Sequence, residues 1–197
     1  MIAYYLTHPQ VEIAPSLPVP SWSLSELGRR RMEAVASRPW LRALTRIVSS
    51  DERKAIETAA IIGKVMGVVA EIGTDMGEND RSATGFLEPI AFEHAADRFF
   101  AEPEASWRGW ERAVDAADRI TRAIDRSLAD HGSTPILFVG HGAVGTLLKC
   151  RLGGRPISRR EDQLAGGGNV FAFRLSNRAL LCDWTPMEAF EGAESAA

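Results

Sequence analysis

Ile2-Ala3-Tyr4-Tyr5-Leu6-Thr7-His8-Pro9-Gln10 is a short apolar run that stops abruptly on a histidine. Pro135-Ile136-Leu137-Phe138-Val139-Gly140-His141-Gly142 has the same grammar. Each reads as a strand whose last turn carries an imidazole to one end of a sheet. In open α/β sheets, ligands bind in the crevice outside the carboxyl ends of the strands. The chain has only four histidines, and two of them end apolar strands. A lone histidine at a turn is ordinarily a residue bonded to nearby backbone. The pair points instead to a site.

The size suits one core, so residues 1–197 are expected to form a single domain. The net charge is −3, which gives no electrostatic case for a nucleic-acid or membrane partner. Cys150 and Cys182 lack metal-like spacing and fit a reducing setting. The N-terminal run lacks a basic flank and is too short for a signal-peptide core. No stretch approaches the roughly 20 apolar residues a membrane helix needs. A cytoplasmic protein is expected.

The intervening chain alternates strand and helix patterns. After the extended loop Pro15–Pro20, Ser23-Leu24-Ser25-Glu26 reads as a capping box opening a helix to about Ala36, with Leu24, Leu27, Met32 and Val35 on its apolar side. Thr45–Ser49 is a second strand. Ser50 or Asp51 then caps a helix ending at Met66 before Gly67. Val68–Ile72 is a third strand, followed by a polar connection from Gly73 to Pro89 of a length often found at functional loops. Helices are expected over Ile90–Phe100 and from about Trp107 to Ala129, the latter capped by Ser106. The strand before His141 leads into a helix to about Leu152. Gly166-Gly167-Gly168 reads as a flexible lead-in to a hairpin of Asn169–Leu175 with Ala179–Trp184. Residues beyond Met187 look frayed. The expected architecture is three-layer α/β/α with a mostly parallel sheet.

A parallel sheet would gather His8, the helix start near Asp51, the loop at Glu78 and His141 at one edge. Two histidines, a cation at a helix start and a carboxylate suit phosphoryl transfer. Neutral imidazole is a competent nucleophile. Cations and helix N-terminal amides hold phosphoryl oxygens. A buried carboxylic acid can protonate the leaving oxygen. His94 and His131 sit on separate predicted helices without ligand spacing, so no metal is implied. The three consecutive glycines lack the spacing of a nucleotide phosphate loop.

The order of motifs resembles the histidine phosphatase, or phosphoglycerate mutase-like, superfamily. Ser23 to Arg30 matches its Leu-Thr/Ser-x-x-Gly helix start. Ser49 to Ala59 matches its Ser-Ser-x-x-x-Arg-Ala-x-x-Thr-Ala segment. Glu78 falls where the family carries its acid, and Val139-Gly140-His141-Gly142 matches its late histidine strand. The resemblance implies a phosphoglycerate mutase-like fold and a phosphomonoester hydrolase acting without a cofactor on a small phosphorylated substrate. His8 would become the phosphohistidine and His141 would line the phosphate pocket. Glu78 would donate the proton, with Asp80 as the fallback donor.

Two positions depart from the pattern. The arginine before the nucleophile is Thr7, and the second pocket arginine falls on Lys54, with Arg53 one residue out of register. Threonine offers one uncharged donor, and lysine lacks the guanidinium fork. A lost charge-assisted hydrogen bond is worth roughly 1.5–3 kcal/mol. A weakened phosphate pocket is therefore expected, with Arg81 as a substitute cation. The alternative is an impaired or inactive family member that binds a phosphorylated ligand or a phosphate anion in a regulatory role. A third possibility, an unrelated doubly wound protein, predicts His8 and His141 far apart.

Overall fold

The apolar run Ile2–Thr7 forms strand β1, and all of its residues are buried. Both faces of the strand are covered, which is why the run is continuously apolar rather than alternating. The computed structural model describes residues 1–129 and 134–193. Among these, β1 joins β2 (Arg46–Ser50), β3 (Glu71–Gly73), β4 (Ile136–Gly140), β5 (Asn169–Arg174) and β6 (Leu180–Pro186) in one sheet. The strand order is β3-β2-β4-β1-β5-β6. The first four in that order pair in parallel, and β5 and β6 add two antiparallel pairings.

The helices are α1 (Glu26–Val35), α2 (Pro39–Arg42), α3 (Arg53–Met66), α4 (Pro89–Ala101), α5 (Ala113–Ala129) and α6 (Gly142–Leu152). Alternate strand residues feed two cores. Tyr5, Phe138 and Phe171 pack with Phe99, Ile120 and Leu147 of α4, α5 and α6. Leu6, Leu137 and Val139 pack with Met32, Leu41 and Ile62 of α1, α2 and α3 on the other side. The expected three-layer α/β/α architecture is therefore present.

The register sets up the site. Thr7 lies opposite Gly140, and Ser49 lies opposite Val139. The carboxyl ends of β1, β4 and β2 are thus side by side. The amide of His8 donates to Gly140 O at 3.0 Å, extending the β1–β4 pairing by one residue.

Several local expectations are corrected. Helix α1 starts later than the Ser23 box implies. Its cap is Ser25, whose hydroxyl accepts from Gly28 N at 3.1 Å. Leu24 instead forms a bridge with Val11, and Leu27 is exposed. Gly28 is required there, because a Cβ would stand 2.2 Å from Gln10 O. Helix α3 is preceded by Glu52 at its cap position; Ser50 Oγ accepts from Glu52 N at 3.2 Å, a turn before the helix. Strand β3 is shorter than Val68–Ile72 suggests. It is an edge strand paired only through Glu71 to Gly73, and Val69 is 92% exposed.

The helix expected from Trp107 begins at Ala113. Arg108 (φ 48°) and Gly109 (φ 87°) are left-handed and break it. Ser106 Oγ closes a turn onto Trp110 O at 2.6 Å, and Trp110 Nε1 donates to Thr84 Oγ1 at 2.9 Å. Helix α2 was not expected; Pro39 opens it at its first turn. The chain beyond Met187 is not frayed through residue 193, since Met187 is buried and Phe190 packs edge-on against Trp40 with centroids 5.0 Å apart.

Gly166-Gly167-Gly168 is not a slack lead-in. All three have positive φ, and Gly168 N donates to His8 O at 3.1 Å. A Cβ on Gly167 would stand 2.3 Å from His8 O. The run is the backing against which the His8-Pro9 turn is pressed. Gly167→Ala should cost about 1–3 kcal/mol from left-handed strain and this clash. Urea unfolding checks it, and native-like stability would mean that the close approach is unimportant.

Candidate active site

His8 and His141, 133 positions apart in sequence, have ring centroids 5.3 Å apart in an edge-to-face arrangement. The adjacency follows from the parallel pairing of β1 with β4. His8 is half-buried, and its Nδ1 lies 2.8 Å from Pro9 O. A carbonyl can only accept, so Nδ1 carries the proton and Nε2 keeps the lone pair. Pro9 also disfavours a helical conformation at His8, keeping the chain extended into the turn. Burial, then the Lys54 ammonium, lowers the His8 pKa to about 4, against the opposing effect of the Pro9 carbonyl. The imidazole is neutral at neutral pH.

His141 is fully buried at the start of α6. Its Nε2 lies 2.8 Å from Ser50 Oγ and 3.5 Å from Glu52 Oε1. Its Nδ1 has no hydrogen-bond partner among the described residues. Burial holds its pKa well below the ordinary histidine range, against the pull of Glu52. Tyr5 clasps its backbone: Tyr5 Oη accepts from His141 N at 3.1 Å and donates to His141 O at 3.3 Å.

Glu78 lies across the N-terminus of α6. Its carboxylate accepts from Val144 N at 3.0 Å through Oε1 and from Ala143 N at 3.1 Å through Oε2. These amides and the positive end of the helix favour the charged form. Burial outweighs them and raises the pKa above the usual carboxylate range. Asp80, the other acid of the loop, is held low by hydrogen bonds from Ser82. Its environment is that of an exposed turn carboxylate.

Of the two cations at the start of α3, Lys54 is the buried one. It is 3% exposed, donates to Val19 O at 3.0 Å and is ion-paired to Glu52. The Arg53 side chain is 60% exposed and pairs with Glu57 along the helix. Thr7 is fully buried and already committed. Its hydroxyl donates to Gln163 Oε1 at 2.7 Å and accepts from Asn169 N at 2.9 Å. It braces β1 against the start of β5 and leaves no proton to offer an anion. Arg81 is half-buried and makes no ion pair among the described residues; its guanidinium stacks 4.8 Å over the Phe92 ring.

Glu52 is the main residue that motif reasoning passed over. It is 8% exposed, and besides Lys54 it accepts from Glu78 N at 2.7 Å. Burial pushes its pKa up, but the charges of His141, when protonated, and Lys54 outweigh this and hold it at about 2. The signal was present in sequence as Glu52-Arg53-Lys54, a carboxylate two positions before the buried cation.

A cavity of about 460 Å³ opens over this group, lined among others by Val19, Glu52, Glu78, Asn79 and Arg81. The imidazoles are not among its walls; Glu52 and Glu78 connect it to them. Among the described residues, no cluster of three or more His, Cys, Asp or Glu could hold a metal ion. His94 lies on α4, and the expectation for His131 falls outside the described residues. No described helix is long and apolar enough to cross a membrane.

The chain as a whole is similar to known proteins. The glucosyl-3-phosphoglycerate phosphatase of Mycolicibacterium vanbaalenii is 31% identical over 159 residues, spanning 75% of this chain and 70% of the relative. The enzyme of the same name from Mycobacterium tuberculosis is 29% identical over 180 residues, spanning 85% and 78%. A mycobacterial glucosyl-3-phosphoglycerate phosphatase solved in complex with inorganic phosphate superposes with a TM-score of 0.79 at 22% identity, covering 96% of this chain and 99% of that one. The family profile described as Histidine phosphatase superfamily (branch 1) matches residues 19–184, and the chain belongs to that family.

Proposed function

We propose that the protein hydrolyses phosphomonoesters through a phosphohistidine on His8. The observation that carries this is the neutral His8 imidazole, its Nδ1 proton held by Pro9 O, set beside His141, with the half-buried Glu78 on the first amides of the helix that His141 begins. His8 Nε2 attacks phosphorus and the ester P–O bond breaks. The leaving oxygen takes the proton of Glu78. A water then gives its proton back to the Glu78 carboxylate and attacks phosphorus, the N–P bond breaks, and inorganic phosphate leaves. With the first amides of α6 taken by Glu78, the groups left to hold the charge on the phosphoryl oxygens are His141, Lys54 and Arg81.

The phosphate grip is weak in this account. Lys54 is already neutralised by Glu52, Thr7 is bonded to Gln163, and Arg81 is the cation without a close ion pair among the described residues, balanced only at longer range by Glu78 and Glu52. A phosphoryl group approaching His141 must displace or share the donors that Glu52 now holds. The same observation favours a second reading, in which the protein binds a phosphorylated ligand without turnover. Measuring phosphate binding beside turnover of a broad set of phosphate esters separates the two.

The nucleophile is tested by His8→Ala, which should abolish turnover of a generic aryl phosphate and the acid-labile phosphate label. Unchanged turnover would remove His8 from the reaction. The pH profile has a defined shape. Activity should rise as His8 loses its proton through about pH 4. It should fall at higher pH as Glu78, with its raised pKa, loses the proton it donates. In Glu78→Gln the alkaline limb should vanish and kcat drop by roughly 10²–10⁴-fold; a profile that keeps its alkaline limb assigns the proton to another group. Glu52→Gln removes the competing charge but keeps the shape. It should tighten inorganic phosphate binding by about tenfold, one charge-assisted contact. Weaker binding in calorimetry would mean that Glu52 serves to position Lys54 instead.

A further inference from the structure

On the far side of Arg81 lies a second hollow of about 230 Å³, walled by Val11, Ile13, Trp22, Phe86, Leu87 and Phe92. Val19 and Arg81 line both spaces, so the two hollows are neighbours with these residues between them. Trp22 and Phe86 form one wall, with ring centroids 5.9 Å apart. Phe92 lies under the Arg81 guanidinium. Ile13 is 57% exposed, and Val11, Phe86, Leu87 and Phe92 are half-exposed. Apolar groups of this size ordinarily cluster away from water, and an open concave set of them marks a binding site.

The polar groups of this hollow are already engaged. Trp22 Nε1 donates to Ala14 O at 2.9 Å and sits 3.3 Å from Leu17 O. Glu93 is ion-paired with Arg159 at 2.6 Å. Arg81 is the exception, and it stands at the junction. A polyol or sugar placed here would lose its water and find few partners for its hydroxyls. An aromatic or aliphatic ring would lose nothing of that kind. The volume suits one ring system and is too small for a helix or strand of a partner protein.

We infer that this hollow receives the organic part of the substrate, which is an apolar, ring-bearing phosphomonoester. The inference rests on the phosphatase reading above, since it takes the phosphoryl group to lie on the His8 side of Arg81. The arrangement is then linear: phosphate at the imidazoles, ester oxygen beside Glu78, and the apolar group past Arg81 against Phe86 and Trp22. The two mycobacterial relatives are named for a glucosyl-phosphoglycerate substrate. This chain's hollow is built for a different alcohol.

The test uses binding rather than turnover, so that it stands apart from the chemistry of His8. Benzylphosphonate and methylphosphonate carry a C–P bond and are not phosphate esters. Calorimetry on the full chain should show benzylphosphonate binding about tenfold or more tightly, the gain from burying one aromatic face. Phe86→Ser and Ile13→Ser, at a half-exposed and an exposed position, should each narrow that ratio. Equal affinity for the two phosphonates overturns the inference, as does tighter binding of 2,3-dihydroxypropylphosphonate, binding of neither, or a ratio untouched by both substitutions. If the benzyl preference holds while His8→Ala keeps full turnover, the nucleophile assignment fails and the apolar subsite stands.

Discussion

The parallel pairing of β1 with β4, in the register that sets Thr7 against Gly140, is the constraint on which the site depends. A slip of one residue would turn every side chain of a strand to the opposite face. Tyr5 would leave the core it shares with Phe138 and Phe171, and His8 would leave His141. The two buried faces of β1 therefore fix the register far more firmly than any contact between the imidazoles. The core places the histidines, and the site exploits a position that packing has already enforced.

Electrostatics within the site follow from that burial. His8 and His141 are both held neutral by the loss of water around them. Glu78 is pushed towards its acid form by the same effect. Glu52 goes the other way because His141, when protonated, and Lys54 stand beside it. Removing one partner of such a buried pair commonly costs about 3–5 kcal/mol, since the other charge is left without compensation. The pair is thus a fixed part of the pocket, and an incoming phosphate meets a cation whose charge is already spent. Arg81 lines the same cavity without a close ion pair among the described residues, feeling Glu78 and Glu52 only at longer range, which makes it the cation best placed to add attraction.

Much of this was legible in sequence because it rests on local grammar. Apolar runs ending on His8 and His141 identify strands and the edge they share, and the alternation of strands with helices gives the layers. The angular step of a helix shows that only one of Arg53 and Lys54 can face inward, and the structure makes it Lys54. What the sequence concealed depends on long-range contacts. Glu52 reads as a helix-start residue, and only the fold brings it to His141 and Glu78 N. Thr7 reads as a poor substitute for arginine, whereas Asn169 and Gln163, more than 150 positions away, claim its hydroxyl. The three glycines read as slack because no local pattern reveals the long-range approaches they permit, of Gly167 to His8 O and of its neighbours to Gln10 and Met187. The late start of α5 has a similar origin: Trp107 and Trp110 fit a helical stripe, but Trp110 is held in a turn by Thr84 and Ser106.

The connection after β3 gathers these threads, because three neighbouring residues of it serve three different purposes. Glu78 caps α6 through two backbone amides and is thereby fixed to the element that begins with His141. Asp80 turns outward, its backbone amide bound by Glu111, which is itself clamped by Arg119 of α5. Arg119 also donates to the carbonyls of Asp75, Gly77 and Glu78, so a single guanidinium ties the loop to the helical layer. Arg81 then lies flat on Phe92 of α4. A loop anchored at so many points to three helices is rigid, and rigidity matters where an acid must meet a leaving oxygen within hydrogen-bond reach. The long polar segment that looks like a loose connection in sequence is pinned between β3 and α4 by these contacts, and that fixes the distance between the proton donor and the guanidinium past which the substrate lies.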